Sequence, residues 1–311
     1  MKTILVTGAA GFIGSHTVEK LLTEGCRVIG VDNFRTGRRD NLGAALENPN
    51  FVLREGDVAA DNFLDGLVAE YLPAAIIHLA ALVSVPESIA NPELNYRLNL
   101  YATYLVAEAA RRHCVPRVVY ASSAAVYGNC TSFPLEEGSS TIPISPYGAA
   151  KLASEALLLG HAAAFGFTVR CQRYFNVYGP RQDPTSPYSG VISLFLKSFR
   201  AGVAVTVFGD GNQTRDFISV TDVARANTIA ALHSDISSGV VNICTGQQLS
   251  LRRILEIFST EFPGAHTPLF AAPRPGDIVH SCGSAIKARD ELGFSAQIGI
   301  KTDLTELIRM S

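Results

Sequence analysis

Along the first 175 residues, short runs of apolar and β-branched residues alternate with longer stretches in which Ala, Leu and Glu recur at helical spacing. The short runs are Thr3–Thr7, Arg27–Val31, Phe51–Glu55, Ala75–Leu79, Arg117–Ser122 and Thr168–Tyr174. They are nearly all apolar rather than alternating, the pattern of strands covered on both faces. The stretches between them, among them Ile13–Glu24, Tyr96–His113 and Pro146–Ala164, predict helices. Strand, helix and strand in repetition predict an α/β fold with a doubly wound parallel sheet. After Asn176 the pattern changes to Gly-, Pro- and Asp-rich stretches, GPRQDPTSPYSG, FGDGNQTRDF and APRPGD. Between these lie helices expected near Val191–Ala201 and Leu251–Phe262 and a strand near Gly239–Cys244. The expected organisation is a first domain over 1–175, joined by about 215–245, and a smaller C-terminal α/β substrate lobe over 176–311, discontinuous in sequence.

The chain has 311 residues, 47% of them hydrophobic and 17% charged, enough for a sizeable core. Its 26 Lys and Arg against 28 Asp and Glu leave a formal charge of −2, which offers no global field for nucleic acid or an anionic membrane. A negative ligand must therefore be bound locally. No apolar run approaches the ~20 residues of a spanning helix. The opening MKTILVTGAAG lacks the apolar segment and cleavage site of a signal peptide, so a cytoplasmic location is expected. The six cysteines are scattered without a C-x-x-C pair and read as buried thiols; no metal site is expected.

Three groups of residues carry candidate chemistry. In TGAAGFIGS, Gly8, Gly11 and Gly14 fall between the first strand and the first helix, where the backbone must turn tightly and approach a pyrophosphate facing the helix amides. This is the position of a Rossmann dinucleotide turn. Asp32 ends the second strand, 18 residues beyond Gly14, where a carboxylate can accept both adenosine ribose hydroxyls and would repel a 2′-phosphate. That favours NAD over NADP. Asp57, in GDV after the third strand, could reach the adenine amino group or act as a plain turn residue. Tyr147 and Lys151 share one helix face in SPYGAAK, and an ammonium beside a phenol, with a nicotinamide cation, favours the phenolate. Ser122 and Ser123 follow the fifth strand at the carboxyl edge of the sheet. His78, at a strand end, and His113, at a helix end, have no partner motif.

TGAAGFIGS, Asp32-Asn33, GDV, HLAA, SSAAVYG, YGAAK, RYFNVYGPRQ, GDGNQTRDFI and RPGD follow one another in an order that spans nearly the whole chain. In this the sequence resembles the extended short-chain dehydrogenase/reductases, and among them the NAD-dependent UDP-sugar 4-epimerases. The resemblance implies that Tyr147 is the base, that Lys151 positions it, and that Ser123 bonds the reacting sugar oxygen. It extends the cofactor contacts beyond the glycines, Asp32 and Asp57 to Phe12, Ile13, Asn33, Val58, Leu79, Ala80, Ala81, Asn99, Ser122 and Tyr174. On the nucleotide-sugar side it implies Ser84, Asn176, Tyr178, Val191, Arg215, Arg274, Asp277 and Ser281. The two arginines suit a diphosphate because each offers a planar fork of donors. Where related dehydratases carry an acidic pair, this chain has Ala124 and Ala125, which removes the acid that elimination needs.

The implied activity is 4-epimerisation of UDP-N-acetylglucosamine and UDP-N-acetylgalactosamine, of UDP-glucose and UDP-galactose, or of both pairs, by transient oxidation at C4. An epimerase of UDP-glucuronic acid or a UDP-pentose, a nucleotide-sugar 4-keto reductase and a non-catalytic NAD-binding sensor remain alternatives. The small Ser281 stands where relatives confined to glucose and galactose carry a bulky Tyr, and the run Ser84–Ser88 is similar to that of members accepting N-acetylated sugars. The family also implies a homodimer through the helices Leu94–Arg112 and Pro146–Ala164.

Overall fold

The computed structural model describes residues 1–183, 190–233, 235–263, 266–272 and 279–309. Six strands from the first part of the chain lie in one sheet: β1 (Thr3–Thr7), β2 (Arg27–Asp32), β3 (Phe51–Glu55), β4 (Ala75–His78), β5 (Arg117–Ser123) and β6 (Thr168–Tyr174). The later strands are β7 (Asn176–Tyr178), β8 (Thr206–Phe208), β9 (Thr214–Arg215), β10 (Phe217–Ser219), β11 (Gly239–Ile243), β12 (Leu249–Ser250) and β13 (Leu269–Ala271). β11 joins the first six to give a seven-stranded sheet in the order β11-β6-β5-β4-β1-β2-β3. Every pairing in it is parallel. The order reverses at β1 and β4, whose carboxyl ends define the crevice where α/β sheets bind ligands.

Both faces of the sheet are covered, which explains the uniformly apolar strands. Leu5, Ile29, Ile76, Val118 and Val169 pack on one face against residues of the helices Phe63–Tyr71, Ala102–Arg112 and Pro146–Phe165. Ile4, Val6, Val28, Ile77 and Val119 pack on the other, with Val18 and Leu21 of the helix Phe12–Thr23 and with Ala230 and Ala231. Those two alanines belong to the helix Val220–Leu232, which the sequence pattern does not announce. It holds nine buried residues and an apolar stripe weakened by Asp222, Asn227 and Thr228.

The C-terminal part consists of two-stranded pairings, β10 with β7, β12 with β9 and β13 with β8, and the helices Val191–Arg200, Leu251–Glu261 and Ile300–Arg309. Its core is aromatic. Phe199 and Phe258 stack at 5.1 Å between ring centroids, and Phe195 meets Phe258 edge-on at 6.3 Å. Among the described residues, no helix is long and apolar enough to cross a membrane.

Two expectations need correction. The single helix expected over Tyr96–His113 is a short helix Pro92–Asn95, a wide π-helical turn Tyr96–Tyr101 and the helix Ala102–Arg112. The wide turn carries Asn99, which explains the break below. Nor are all the cysteines buried: Cys114 is exposed in a left-handed turn at φ +53° and Cys130 is half-buried, while the other four are buried and all six are free.

Candidate active site

The glycine turn is built by exclusion of side chains. Gly8 adopts φ +69°, and a Cβ there would lie 2.8 Å from the Ala80 nitrogen. A Cβ on Gly14 would lie 1.9 Å from the Gly8 carbonyl oxygen, so the first helix can sit against the turn only with glycine at this position. Gly11 caps that helix without a side chain, leaving its first amides for a ligand. Phe12 and Ile13 open the helix.

Asp32 is 7% exposed and accepts bonds from Ala10 N and Phe34 N, both at 2.8 Å. Burial raises its pKa against the opposing pull of those amides. A carboxylate has about four lone-pair positions, so acceptor capacity remains for two ribose hydroxyls. Asn33 is exposed and bonds its own loop at Arg35 N, 3.1 Å. Asp57 caps a turn at Ala59 N, 2.9 Å, and pairs with Arg97 at 2.7 Å, beside the buried Val58. Both Asp57 oxygens therefore already have protein partners.

The loop after β4 is fixed from two sides. Thr7 Oγ1 accepts from Leu79 N and Ala80 N, each at 3.2 Å, and lies 2.8 Å from His78 Nδ1. His78 is fully buried and stacks on Tyr120, and desolvation with the nearby Lys151 charge lowers its pKa to about 3. It is a neutral imidazole. From the other side Asn99 clasps Leu82, accepting from its N and donating to its O at 3.0 Å, and also donates to Asn95 Oδ1 at 2.7 Å. The side chain of Asn99 thus holds the loop that carries Ala80 and Ala81. The wide turn is what aims it there.

Tyr147 and Lys151 occupy the helix Pro146–Phe165, started by Ser145, whose hydroxyl accepts from Gly148 N at 3.1 Å, and ended by Gly166 at φ +79°. Ser123, the last residue of β5, bonds the Tyr147 hydroxyl and accepts from Ala125 N at 3.2 Å. Lys151 is 3% exposed; its Nζ donates to Ala121 O at 2.7 Å and lies 5.9 Å from the Tyr147 ring centroid. Burial lowers the Lys151 ammonium to about 7 and raises the Tyr147 phenol, although the Ser123 bond opposes the latter. The expected depression of the phenol is therefore absent from the folded chain taken by itself, because desolvation outweighs the Ser123 hydrogen bond.

Ser84 caps the short helix Val85–Ala90, accepting from Glu87 N at 3.0 Å, and Ser88 Oγ accepts from Tyr147 N at 3.2 Å. The Ser84–Ser88 run is thereby docked on the helix that carries Tyr147. Ser122 points away from the crevice, its hydroxyl donating to Glu155. Tyr174 donates to Asn227 Oδ1 at 2.5 Å, and Asn227 donates to Thr17 Oγ1 at 3.1 Å, tying β6 to two helices.

Toward the C-terminal lobe, Asn176 is exposed on β7 and Val191 begins its helix. Arg215 donates to the carbonyls of Thr214, 2.8 Å, and Val279, 3.2 Å. Ser281 is 8% exposed, and its N donates to Thr214 O at 3.1 Å. Tyr178, expected at the sugar, is 1% exposed and packs in the aromatic core instead, as its place on the inward face of β7 requires. Arg274 and Asp277 lie outside the described residues. His113 ends its helix beside Asp65 at 3.1 Å.

Several buried charged groups escape a reading of the sequence, Asp216 and Glu155 among them. Asp216, fully buried, accepts from Thr245 N at 2.8 Å, Thr245 Oγ1 at 2.6 Å, Gly246 N at 2.9 Å and Gly283 N at 3.3 Å. It ties its own segment, between β9 and β10, to residues 245–246 and 283. Glu155, 3% exposed, is gripped by the fork of Arg173 at 2.9 and 2.7 Å. One signal was available for the second: Glu155 lies four residues after Lys151 on a helix face otherwise composed of small and apolar residues.

The glycine turn, Asp32, the 79–81 loop and the Ser123, Tyr147 and Lys151 group all lie at the carboxyl edge of the sheet around the β1/β4 reversal. An extended dinucleotide fits this arrangement, with its pyrophosphate over the turn at Gly8 and Gly14, where added Cβ atoms have no room. The NAD dependent epimerase/dehydratase family model matches residues 4–244. The UDP-glucose 4-epimerase of Mycolicibacterium smegmatis is 36% identical over 306 residues, covering 98% of this chain and 96% of that protein. The structure of a UDP-N-acetylglucosamine 4-epimerase from Methanobrevibacter ruminantium, in complex with UDP-N-acetylmuramic acid, superposes with a TM-score of 0.93 at 34% identity, covering 99% of this chain and 97% of that one. That of a Thermus thermophilus UDP-glucose 4-epimerase in complex with NAD superposes with a TM-score of 0.88 at 33% identity, covering 99% and 98%. The chain belongs to the NAD dependent epimerase/dehydratase family.

Proposed function

We propose that the protein interconverts UDP-hexoses at C4, with NAD held by the glycine turn, Asp32 and the 79–81 loop. The observation that carries this reading is the joining of Tyr147 to Ser123, with Lys151 one turn away, beside Ala124 and Ala125 where no acid is present. Bound NAD supplies the hydride acceptor at C4 and a net redox change of zero. Tyr147 takes the proton of the 4′-hydroxyl, and Ser123 bonds the same oxygen as its charge changes. Lys151, anchored on Ala121 O, keeps its charge near the phenol. Small side chains at 84, 123, 124, 125 and 281 leave the sugar room to present its other face, while the diphosphate is held toward Arg215 and Arg274.

The small side chain at Ser281 supports N-acetylhexosamines as substrates together with, or in place of, glucose and galactose. Free thiols at all six cysteines suit a reducing compartment, and we place the activity in the cytoplasm. A second copy of the chain fits against the helices Ala102–Arg112 and Pro146–Phe165. Tyr104 (39% exposed) and Phe165 (53%) on these helices, with Tyr96 (55%) in the preceding wide turn, leave aromatic side chains that a homodimer would cover. The deciding experiment incubates purified protein with a panel of UDP-sugars, without added cofactor, and follows the 4-epimers by NMR. Conversion of UDP-N-acetylglucosamine or UDP-glucose supports the reading; dependence on added NADH in stoichiometric amount would replace it with a reductase.

A further inference from the structure

Glu155 and Arg173 form a bidentate pair sealed in the protein, with side chains 3% and 5% exposed. Burying two charges is expensive, and an apolar pair of similar volume often packs at least as well, so the pair calls for a reason other than stability. Its surroundings supply one. Glu155 lies one helical turn beyond Lys151 on the same buried face. Its Oε1 also accepts the hydroxyl hydrogen of Ser122. Ser122 stands between Ala121, whose carbonyl takes the Lys151 ammonium at 2.7 Å, and Ser123, which bonds Tyr147. The carboxylate is thus bonded to the strand segment that holds both members of the base pair, while sitting on the helix that carries them.

We propose that Glu155 is a positioning residue of this active site: clamped by Arg173, it locks the end of β5 to the helix of Tyr147 and Lys151 and faces Lys151 with negative charge.

The groups around Lys151 make this charge count. His78 from β4 is neutral, and Tyr120 from β5 presents its ring at 4.9 Å. Tyr147 is on the same helix, Cys171 and Arg173 are on β6, and Glu155 is the carboxylate acting on Lys151. Burial brings the ammonium down to about 7, and Glu155 is what opposes that fall. Glu155 is the charge acting on Lys151, and Arg173 is bonded to that carboxylate, so the pair acts as a dipole with its negative end toward the ammonium.

The test reads kcat against pH for two substitutions expected to move the alkaline limb in opposite directions. Glu155→Gln keeps the shape, removes the anion and leaves the Arg173 cation bare, so Lys151 loses its proton earlier and the limb falls by about one pH unit or more. Arg173→Met leaves the carboxylate unscreened and moves the limb upward. Glu155→Gln combined with Arg173→Met leaves no unpaired charge in the core; it is the variant to rely on if either single one does not fold, and its limb must lie below that of the wild type. The chain contains no Trp, so the phenolate absorption of each variant, minus that of its Tyr147→Phe counterpart, follows Tyr147 directly. Limbs that stay in place, or that move the same way in both single variants, would reduce the pair to a structural tie and overturn the proposal. The inference rests on Tyr147 and Lys151 as the base pair. Full turnover by Tyr147→Phe would sink both readings, whereas an inactive Tyr147→Phe with unmoved limbs would sink the role of Glu155 alone.

Discussion

At the scale of single residues, the site depends on how burial and bonding are balanced around a few polar atoms. Tyr147→Phe removes the proposed proton acceptor without touching the glycine turn, so turnover should fall by at least about 10²-fold while NAD bound to the purified protein stays near wild type. Kinetics together with cofactor release on denaturation check both halves. Lys151 gives a pH-dependent stability effect. Its ammonium titrates near 7 in the cofactor-free fold against 10.5 in an exposed chain, so between these values the unfolded state holds more protons and stability rises with pH. Below about 7 the penalty of the buried charge is complete. Relative to wild type, Lys151→Met should therefore be favoured most at acid pH and lose that advantage as the pH climbs above 7, which denaturant titrations across this range will show. Ser281→Tyr should abolish turnover of the N-acetylated sugar while sparing UDP-glucose, as read by the same NMR panel, because a phenol fills the acetamido space and leaves room for the bare hexose. Asp32 was legible from its place at a strand end and Tyr147 and Lys151 as a pair on one helix face, the roles of that pair being what the family resemblance implies. Asn99 was legible as a position but not as the clasp on Leu82, since its aim depends on a π-helical turn that no propensity announces.

At the scale of elements, polar pins between helices and strands hold the sheet's coverings in place. Tyr174, Asn227 and Thr17 link β6 to the helices Val220–Leu232 and Phe12–Thr23. Tyr174→Phe leaves the buried Asn227 oxygen without its donor and should destabilise the protein by about 1–3 kcal/mol, measured by chemical denaturation. The strands of the seven-stranded sheet were legible almost to the residue, because a strand buried on both faces has little choice but to be short and apolar. The helix Val220–Leu232 was not, since Asp222, Asn227 and Thr228 on its buried side blur the stripe that marks a helix. Each of these polar residues is bonded in the fold, Asp222 to Gln297 N and Ile298 N at 2.9 and 3.0 Å, but those partners lie some seventy residues away. Long-range partners likewise hid Asp216 and the match of Glu155 with Arg173.

At the scale of the whole molecule, the aromatic face on the helices Ala102–Arg112 and Pro146–Phe165 gives the proposed dimer a direct test. Tyr104→Glu places a charge in that face without disturbing the interior and should shift the protein to monomers in sedimentation velocity at micromolar concentration. A monomeric wild type would remove the dimer from the proposal. The central sheet is also not completed by the first 175 residues alone. The seventh strand of the sheet, β11, comes from Gly239–Ile243, and the helix Val220–Leu232 lies against the helix that begins at the glycine turn. During synthesis on the ribosome, then, Val18 and Leu21 wait uncovered while more than two hundred residues are added, and the edge of β6 stays open until the chain has grown past Ile243. The half of the protein that is translated first is finished late. A nascent chain stalled at residue 175 should therefore be a client for chaperones rather than a cofactor-binding unit, and NAD should enter only after much of the second lobe has emerged.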